Sequence, residues 1–217
     1  MLARMDRPPI IAVAACAADF EAVSELLAGV PVGCGAALII VQHLESGRRL
    51  WLAEALAQRT VLPVIDAQDG VEPERDHVYV MRANTTLTLC GGSFRVTPDA
   101  SGLNRPGDML FASVAEECGD NAIGVVLSGG GSDGALGTQA IKKGGGTTFA
   151  QYPGSARFPS MPISAIDTGC AGYVLRPNEI AHQMTRWVCD ATPPSGVVIP
   201  YTIALGSRRS VSRFTTS

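Results

Sequence analysis

The sequence has no apolar run that approaches the roughly 18 residues of a membrane-spanning helix. Residues 1–8 are polar, and the apolar run that follows them is too short for a secretory signal. The chain has 17 Lys and Arg against 20 Asp and Glu, a net charge of -3, which gives no reason to expect nucleic acid as a partner. These absences favour a cytoplasmic protein that is not inserted in a membrane.

The cysteines are equally informative in what they do not form. All six lie far apart without a C-x-x-C pair: Cys16, Cys34, Cys90, Cys118, Cys170 and Cys189. A chain of 217 residues can bury a core without disulfides, so reduced thiols are expected. The spacing also argues against structural zinc, and we expect neither a metal nor a cofactor.

What is present is an alternation of short apolar strands with amphipathic helices, beginning with a strand in residues 10–13 and a helix in 19–28. Such βαβ units predict an α/β fold with a doubly wound, mostly parallel sheet and helices on both faces. Gly91-Gly92 separates two β-rich runs and predicts an antiparallel β-hairpin insertion attached to the sheet edge. Residues 152–162 are expected to form a Pro-rich loop.

The organisation expected along the chain is one large domain with two short flanks. Residues 1–8 are an N-terminal extension, residues 9–191 are the folded domain, and residues 192–217 are a tail rich in Pro, Ser and Thr. A chain that starts about eight residues before its first strand leads us to expect no regulatory domain ahead of it.

Three residues with catalytic chemistry follow predicted parallel strands on the carboxyl side: Cys16, His43 and Asp133. In a doubly wound sheet these strand ends gather at one edge, where a nucleophile, a base and an orienting carboxylate can meet. A thiol at the start of a helix is also easier to ionise than a free one. The alternatives are a buried cysteine that fills a turn, a hydrogen-bonded loop histidine and an ordinary helix N-cap.

The glycine-rich loop before the fourth helix offers a competing interpretation. Gly129, Gly131 and Gly134 match G-x-G-x-x-G, which is the dinucleotide fingerprint. No acidic residue follows at the distance that would hold a ribose, and the loop lies late in the chain. We therefore expect these glycines to permit close backbone approach and to leave N–H groups available to an oxyanion.

Five motifs together resemble the catalytic domain of the chemotaxis receptor methylesterases (protein-glutamate methylesterase). They occur in the family's order within residues 9–181: 41–44, 78–80, 105–111, 124–134 and 158–162. The resemblance implies a Ser-His-Asp triad that hydrolyses glutamyl methyl esters on chemoreceptors and can deamidate receptor glutamines. The family's serine falls on Cys16, its histidine on His43 and its aspartate on Asp133.

The resemblance also implies oxyanion or substrate contacts at four further positions: Ala17, Gly130, Arg105 and Met161. This sequence departs from the family most clearly in the nucleophile turn, which usually reads Gly-Ala-Ser-Ala-Gly-Gly in the family and here ends in Asp19. Cysteine keeps a nucleophile, but a carboxylate in this turn opposes a developing oxyanion. The expected function is hydrolysis of receptor glutamyl esters by a Cys-His-Asp triad. The alternative is a non-catalytic relative that binds a receptor or another signalling protein.

Overall fold

The computed structural model describes residues 7–43, 52–99 and 105–190, with His43 and Asp190 described by their backbone alone. The sequence also predicts a helix that begins at Ser46; its start, most of the N-terminal extension and the tail from 192 lie outside the described residues. None of the described helices is long and apolar enough to cross a membrane.

The strands of the described chain are short and mostly buried: β1 (Ile10–Cys16), β2 (Ala37–His43), β3 (Val64–Asp66), β4 (His77–Val80), β5 (Thr85–Cys90), β6 (Ser93–Pro98), β7 (Ala122–Val126), β8 (Thr147–Gln151) and β9 (Tyr173–Leu175). Seven of them form a parallel sheet in the order β3-β4-β2-β1-β7-β8-β9. Because β1 lies in the middle and is covered on both faces, its residues read as one apolar run rather than an alternation.

The α-helices pack on both faces of this sheet: α1 (Phe20–Ala28), α2 (Leu52–Ala57), α3 (Pro106–Cys118), α4 (Ala135–Lys143), α5 (Ser160–Asp167) and α6 (Pro177–Asp190). Leu26, Leu56 and Met184 place α1, α2 and α6 in one buried core. Phe111 and Ile141 place α3 and α4 in the core on the opposite face, together with α5. This arrangement confirms the predicted doubly wound α/β fold.

Side chains of β1 alternate between the two cores, as strand geometry requires. Val13 and Ala15 belong to the core beneath α1, whereas Ala12 and Ala14 belong to the core beneath α3. The small side chains on the second face let α3 approach the sheet, because a Cβ added to Gly107 would lie 2.7 Å from the Cβ of Ala14. Alanine and glycine in these elements are therefore a packing requirement.

Two expectations about the connections are wrong. The hairpin β5–β6 is not attached to the edge of the main sheet but forms a separate two-stranded sheet that packs on α3. Residues 152–162 are not one loop, since α5 begins at Ser160. Pro162 masked that helix in the sequence, yet proline is tolerated in a first helical turn, where its missing N–H has no partner to lose.

The chain winds outward from β1 to one edge of the sheet and then returns to β7 on the other side of β1. The carboxyl ends of β1 and β7 therefore flank the topological switch point, the crevice where open α/β sheets bind ligands. Cys16 ends β1 at this crevice, and the glycine-rich loop follows β7 there.

Candidate active site

Cys16 is held at the crevice by backbone hydrogen bonds from both sides. Its N–H donates to the carbonyl of Ser128 in the glycine-rich loop at 3.1 Å, and its carbonyl accepts the N–H of Asp19 at 3.0 Å. The second bond closes a tight turn, after which α1 begins at Phe20. Cys16 itself is half-buried and its thiol is free, so a reactive group stands on a rigid strand end at an accessible edge.

His43 ends β2 directly beside this thiol-bearing residue. The Cα of His43 is the register partner of the Cα of Cys16 in the parallel β1–β2 pair. Its position has the same parity as Ala37, Ile39 and Val41, which belong to the core on the α3 face. The register pair therefore places the backbone of His43 next to that of Cys16 at one edge of the sheet.

Asp133 reaches the same edge from the loop after β7, on the face covered by α3. A Cβ added to Gly107 would lie 3.0 Å from Oδ2 of Asp133 as well as 2.7 Å from the Cβ of Ala14. Ala14 precedes Cys16 by two positions on β1, and residues two apart in a strand share a face. The structure therefore brings the carboxylate and the cysteine to one edge and one face of the sheet.

The Asp133 carboxylate accepts hydrogen bonds from three backbone N–H groups. Its Oδ2 accepts the N–H of Gly107 at 2.8 Å, and its Oδ1 accepts the N–H groups of Asp108 at 2.9 Å and Gly134 at 3.0 Å. Burial raises the pKa of Asp133, these backbone donors lower it, and the negative charge of Asp108 raises it, with a net upward direction. Oδ2 carries one backbone bond, which leaves it a lone pair for an imidazole N–H.

Met161 and the first loop glycine form one wall next to Cys16. Met161 is buried, and its N–H donates to the carbonyl of Gly129 at 2.9 Å. A Cβ on Gly129 would collide with Sδ of Met161 and would lie 3.0 Å from the Cβ of Cys16. Close approach explains why glycine occupies this position, without any need for a dinucleotide.

Ala17 and Gly130 flank the cysteine from the turn and from the loop. Ala17 is half-buried and Gly130 is exposed, with open space around its Cα. Within the described part of the chain, neither backbone N–H donates a hydrogen bond to another protein group. An oxyanion hole requires N–H donors without protein partners near the nucleophile, so the N–H groups of Ala17, next to Cys16 in sequence, and of Gly130, next to Gly129, are its candidates.

Arg105 lies at the start of α3 and is directed to the protein rather than to the thiol. Its Nε is 2.8 Å from Oδ2 of Asp108, and its Nη2 donates to the carbonyl and the hydroxyl of Ser132 at 3.3 and 3.1 Å. The residue that sequence reasoning missed is Asp108, which is 9% exposed. An acidic residue in the first turn of a predicted helix was the available signal.

Asp19, which stands where the nucleophile turn of the methylesterases usually has glycine, has a defined environment in the structure. It is 7% exposed and stands at the N-cap of α1, but its side chain makes no capping hydrogen bond. It belongs to none of the ion pairs formed among the described residues. A carboxylate so close to Cys16 places negative charge where an attacking thiolate and an oxyanion would also be negative.

The structure places this protein in the class of doubly wound α/β domains that carry cysteine, histidine and aspartate positions at the switch-point edge of the sheet. No group of metal-ligating side chains occurs among the described residues. The sequence profile of the CheB methylesterase family matches residues 11–184, and the chain belongs to this family. The resemblance seen in the sequence is thereby confirmed.

Individual relatives agree with the family assignment. Protein-glutamate methylesterase/protein-glutamine glutaminase 3 of Anaeromyxobacter dehalogenans (strain 2CP-C) is 35% identical over 186 residues, covering 84% of this chain and 54% of that protein. Protein-glutamate methylesterase/protein-glutamine glutaminase of Photorhabdus laumondii subsp. laumondii is 37% identical over 172 residues, covering 76% of this chain and 49% of that protein. The chain thus spans about half the length of these relatives.

A solved structure gives the same result. The CheB methylesterase catalytic domain of Thermotoga maritima superposes with a TM-score of 0.76 at 28% identity, covering 82% of this chain and 98% of that domain. An uncharacterised 104.1 kDa protein of Rhodobacter capsulatus is 43% identical over 140 residues, which are 64% of this chain and 14% of that protein. The described domain therefore corresponds to a catalytic domain almost in full.

Proposed function

We propose that this domain hydrolyses glutamyl methyl esters, and deamidates glutamines, on chemotaxis receptors by a Cys-His-Asp triad. Cys16 is the nucleophile, His43 the general base and Asp133 the residue that orients the imidazole. The observation that carries the proposal is the register pair of Cys16 and His43 at the strand ends, with Asp133 on the same edge and face. The relatives named above as methylesterases and glutaminases support the reaction type.

The reaction divides into two balanced steps. In the first, Sγ of Cys16 attacks the ester carbonyl while its proton passes to His43, and the C–O bond to the methoxy group then breaks as that proton leaves with methanol. In the second, water attacks the thioester and gives one proton to His43, and as the C–S bond breaks the glutamate side chain is released as a carboxylic acid that loses its remaining proton to solvent. His43 returns its proton to the thiolate, and with a glutamine substrate ammonia leaves in place of methanol.

The surrounding groups have roles that follow from their contacts. The N–H groups of Ala17 and Gly130 stabilise the oxyanion of each tetrahedral intermediate. Met161 forms the apolar wall beside the reacting carbon, and its contact with Gly129 fixes the loop that carries Gly130. Arg105 holds the loop through Ser132. A receptor presented to this face from the cytoplasm is the expected partner.

The test is methanol release from methylated receptor membranes, with ammonia release measured in parallel on unprocessed receptors. Cys16→Ala should abolish both products, a loss of about a thousandfold or more for a covalent nucleophile. The matched control is Cys170→Ala, which removes another half-buried free thiol and should leave the rates unchanged. Wild-type protein that releases neither product from any receptor tested would overturn the proposal.

The second candidate function is a non-catalytic relative that binds its receptor through the same face. The observation in its favour is Asp19, a buried carboxylate in the nucleophile turn that does not cap its helix. Receptor co-sedimentation separates the two candidates. Binding that is equal for wild type and Cys16→Ala, in the absence of any turnover, identifies the binder.

A further inference from the structure

Helices α3 and α4 cap each other: an aspartate at the start of each accepts backbone N–H groups from the start of the other. The side chain of Arg105, at the N-cap of α3, makes no capping hydrogen bond, and Pro106 has no N–H to donate. The next two donors of α3, the N–H groups of Gly107 and Asp108, go to the carboxylate of Asp133 instead. Asp133 stands just before α4, so a residue at the start of α4 accepts the free N–H groups at the start of α3.

Asp108, in the first turn of α3, accepts a backbone N–H from the first turn of α4 in the same way. The N-cap position of α4 is Gly134, which has no side chain to offer, and the N–H of Gly137 in the first turn donates to Oδ1 of Asp108 at 2.8 Å. A Cβ on Gly137 would also lie 2.5 Å from the Cβ of Phe111, which shows how tightly α3 and α4 meet. Each carboxylate therefore supplies the acceptor that the opposite helix lacks.

This exchange brings the buried carboxylate of Asp108 close to the half-buried carboxylate of Asp133, and the Arg105 cation is placed beside them. Oδ2 of Asp108 pairs with Nε of Arg105 at 2.8 Å, and Nη2 of the same arginine reaches the carbonyl and hydroxyl of Ser132. Ser132 adjoins Asp133 in sequence. Arg105 thus neutralises Asp108 and at the same time fixes the backbone that carries Asp133.

We propose that Arg105 and Asp108 are a positioning pair: together they hold the Asp133 carboxylate in place, and the Arg105 cation offsets the charge of Asp108 so that Asp133 stays ionised for its work on His43. The inference rests on the proposed function, because orienting His43 is the task that an ionised Asp133 performs there. It gives Arg105 a role through Asp133 rather than through substrate. Neither residue is a catalytic residue in this assignment, since neither touches the reacting atoms.

The electrostatic surroundings of Asp133 make the pair testable. From α3 the charged groups are Arg105 and Asp108, and the negative charge of Asp108 raises the pKa of Asp133. Residues 135–141 of α4 contain no ionisable side chain. The strand ends contribute the titratable positions Cys16 and His43. Loss of Arg105 should therefore raise the pH at which Asp133 titrates, and loss of the Asp108 charge should lower it.

The experiment follows the side-chain carboxyl carbon of Asp133 by ¹³C NMR titration of the full chain, with the signal assigned through Asp133→Asn. Arg105→Gln should move the midpoint to higher pH, and Asp108→Asn, which keeps an amide oxygen for Gly137, should move it to lower pH. The acid limb of kcat/KM for methanol release should follow in the same two directions. At pH 6 Arg105→Gln should lose roughly ten- to hundredfold in kcat/KM, as misplaced catalytic groups do.

The matched control lies at the other end of α3. Arg7 and Glu117 form a comparable ion pair at 3.4 Å, and Arg7→Gln should leave the midpoint of Asp133 and the acid limb unchanged. A structural role alone would lower the melting temperature of both site variants without moving the midpoint in opposite directions. Midpoints that stay fixed, or move the same way, in folded variants overturn the proposal. Opposite midpoint shifts in a protein without turnover would instead overturn the proposed function and leave the pair standing.

Discussion

The two sides of the candidate site are built in different ways. On the acid side, three backbone donors bind Asp133, and Asp108 is held by Gly137 and Arg105. On the nucleophile side, Cys16 is fixed by two backbone bonds, and the nearby Asp19 is buried without capping α1. Buried polar groups stabilise a fold when they are paired and weaken it when they are not, so we expect the paired carboxylates of the acid side to contribute more to stability than Asp19, which has no partner among the described residues.

The strongest test of the difference between the two sides is to replace Asp133 and Asp19 separately by alanine. Asp133→Ala leaves the N–H groups of Gly107, Asp108 and Gly134 without their acceptor, and should lower the free energy of unfolding by about 3 kcal/mol. Asp19→Ala removes a carboxylate that has no hydrogen-bond or ion-pair partner among the described residues, so unfolding should cost as much as in wild type or more. Urea denaturation followed by circular dichroism measures both. Equal losses in the two variants would erase the distinction between the two sides.

Substitutions of Gly129 and Gly130 test the wall that Met161 and Gly129 form next to Cys16. Gly129→Ala must displace Met161 or shift Cys16, and should cost about 1–3 kcal/mol of stability as overpacked sites do. Gly130→Ala places its Cβ in open space and should leave stability unchanged. Thermal unfolding of the two variants provides the comparison. A stable Gly129→Ala protein would mean that Met161 yields easily and does not hold the wall.

A second thiol shows what a purely structural cysteine does. Burial raises the pKa of Cys34 from 9.0 to about 11, with the negative Asp76 also raising it and a hydrogen bond with the backbone of Ala36 opposing the change. The folded chain therefore keeps a proton that the unfolded chain loses above pH 9. Stability should fall by up to about 1.4 kcal/mol per pH unit between pH 9 and 11.

Cys34→Ala should flatten this part of the stability profile, whereas Cys90→Ala, at an exposed thiol, should leave the slope as in wild type. Urea midpoints recorded at pH 8, 9 and 10 measure the slope. An unchanged slope in Cys34→Ala would show that its thiol does not carry the alkaline loss of stability.

The smallest effect concerns the charge beside the nucleophile. Cys16 should react with iodoacetamide faster than the other thiols, and Asp19→Gly should quicken it by about two- to fivefold by removing a negative charge near the attacking thiolate. Glu21→Gln, which removes an exposed carboxylate in the first turn of α1, is the control and should change little. Mass spectrometry of partially alkylated protein gives the rates. No preference for Cys16 would make it a packing residue.

Much of the fold was predictable because its signals are local. The apolar run that forms β1, the Gly91-Gly92 turn of the hairpin and the start of α1 after Asp19 all follow from neighbouring residues. The placement of the hairpin on α3 was not predictable, because it depends on contacts such as the 3.0 Å bond from the N–H of Leu89 to Oγ of Ser113. Local pattern sets which elements form, and distant contacts set where they pack.

The candidate site divides along the same line. The sequence alone indicated that Cys16, His43 and Asp133 stand at or after the carboxyl ends of strands, because the apolar pattern shows where strands end; in the structure Cys16 and His43 are the last residues of β1 and β2. Only the tertiary structure decided that Cys16 and His43 are register partners, since register depends on how β1 and β2 align. It also decided that Asp133 caps α3 and Asp108 caps α4, because these bonds join residues 25 to 29 positions apart, beyond the reach of any local pattern.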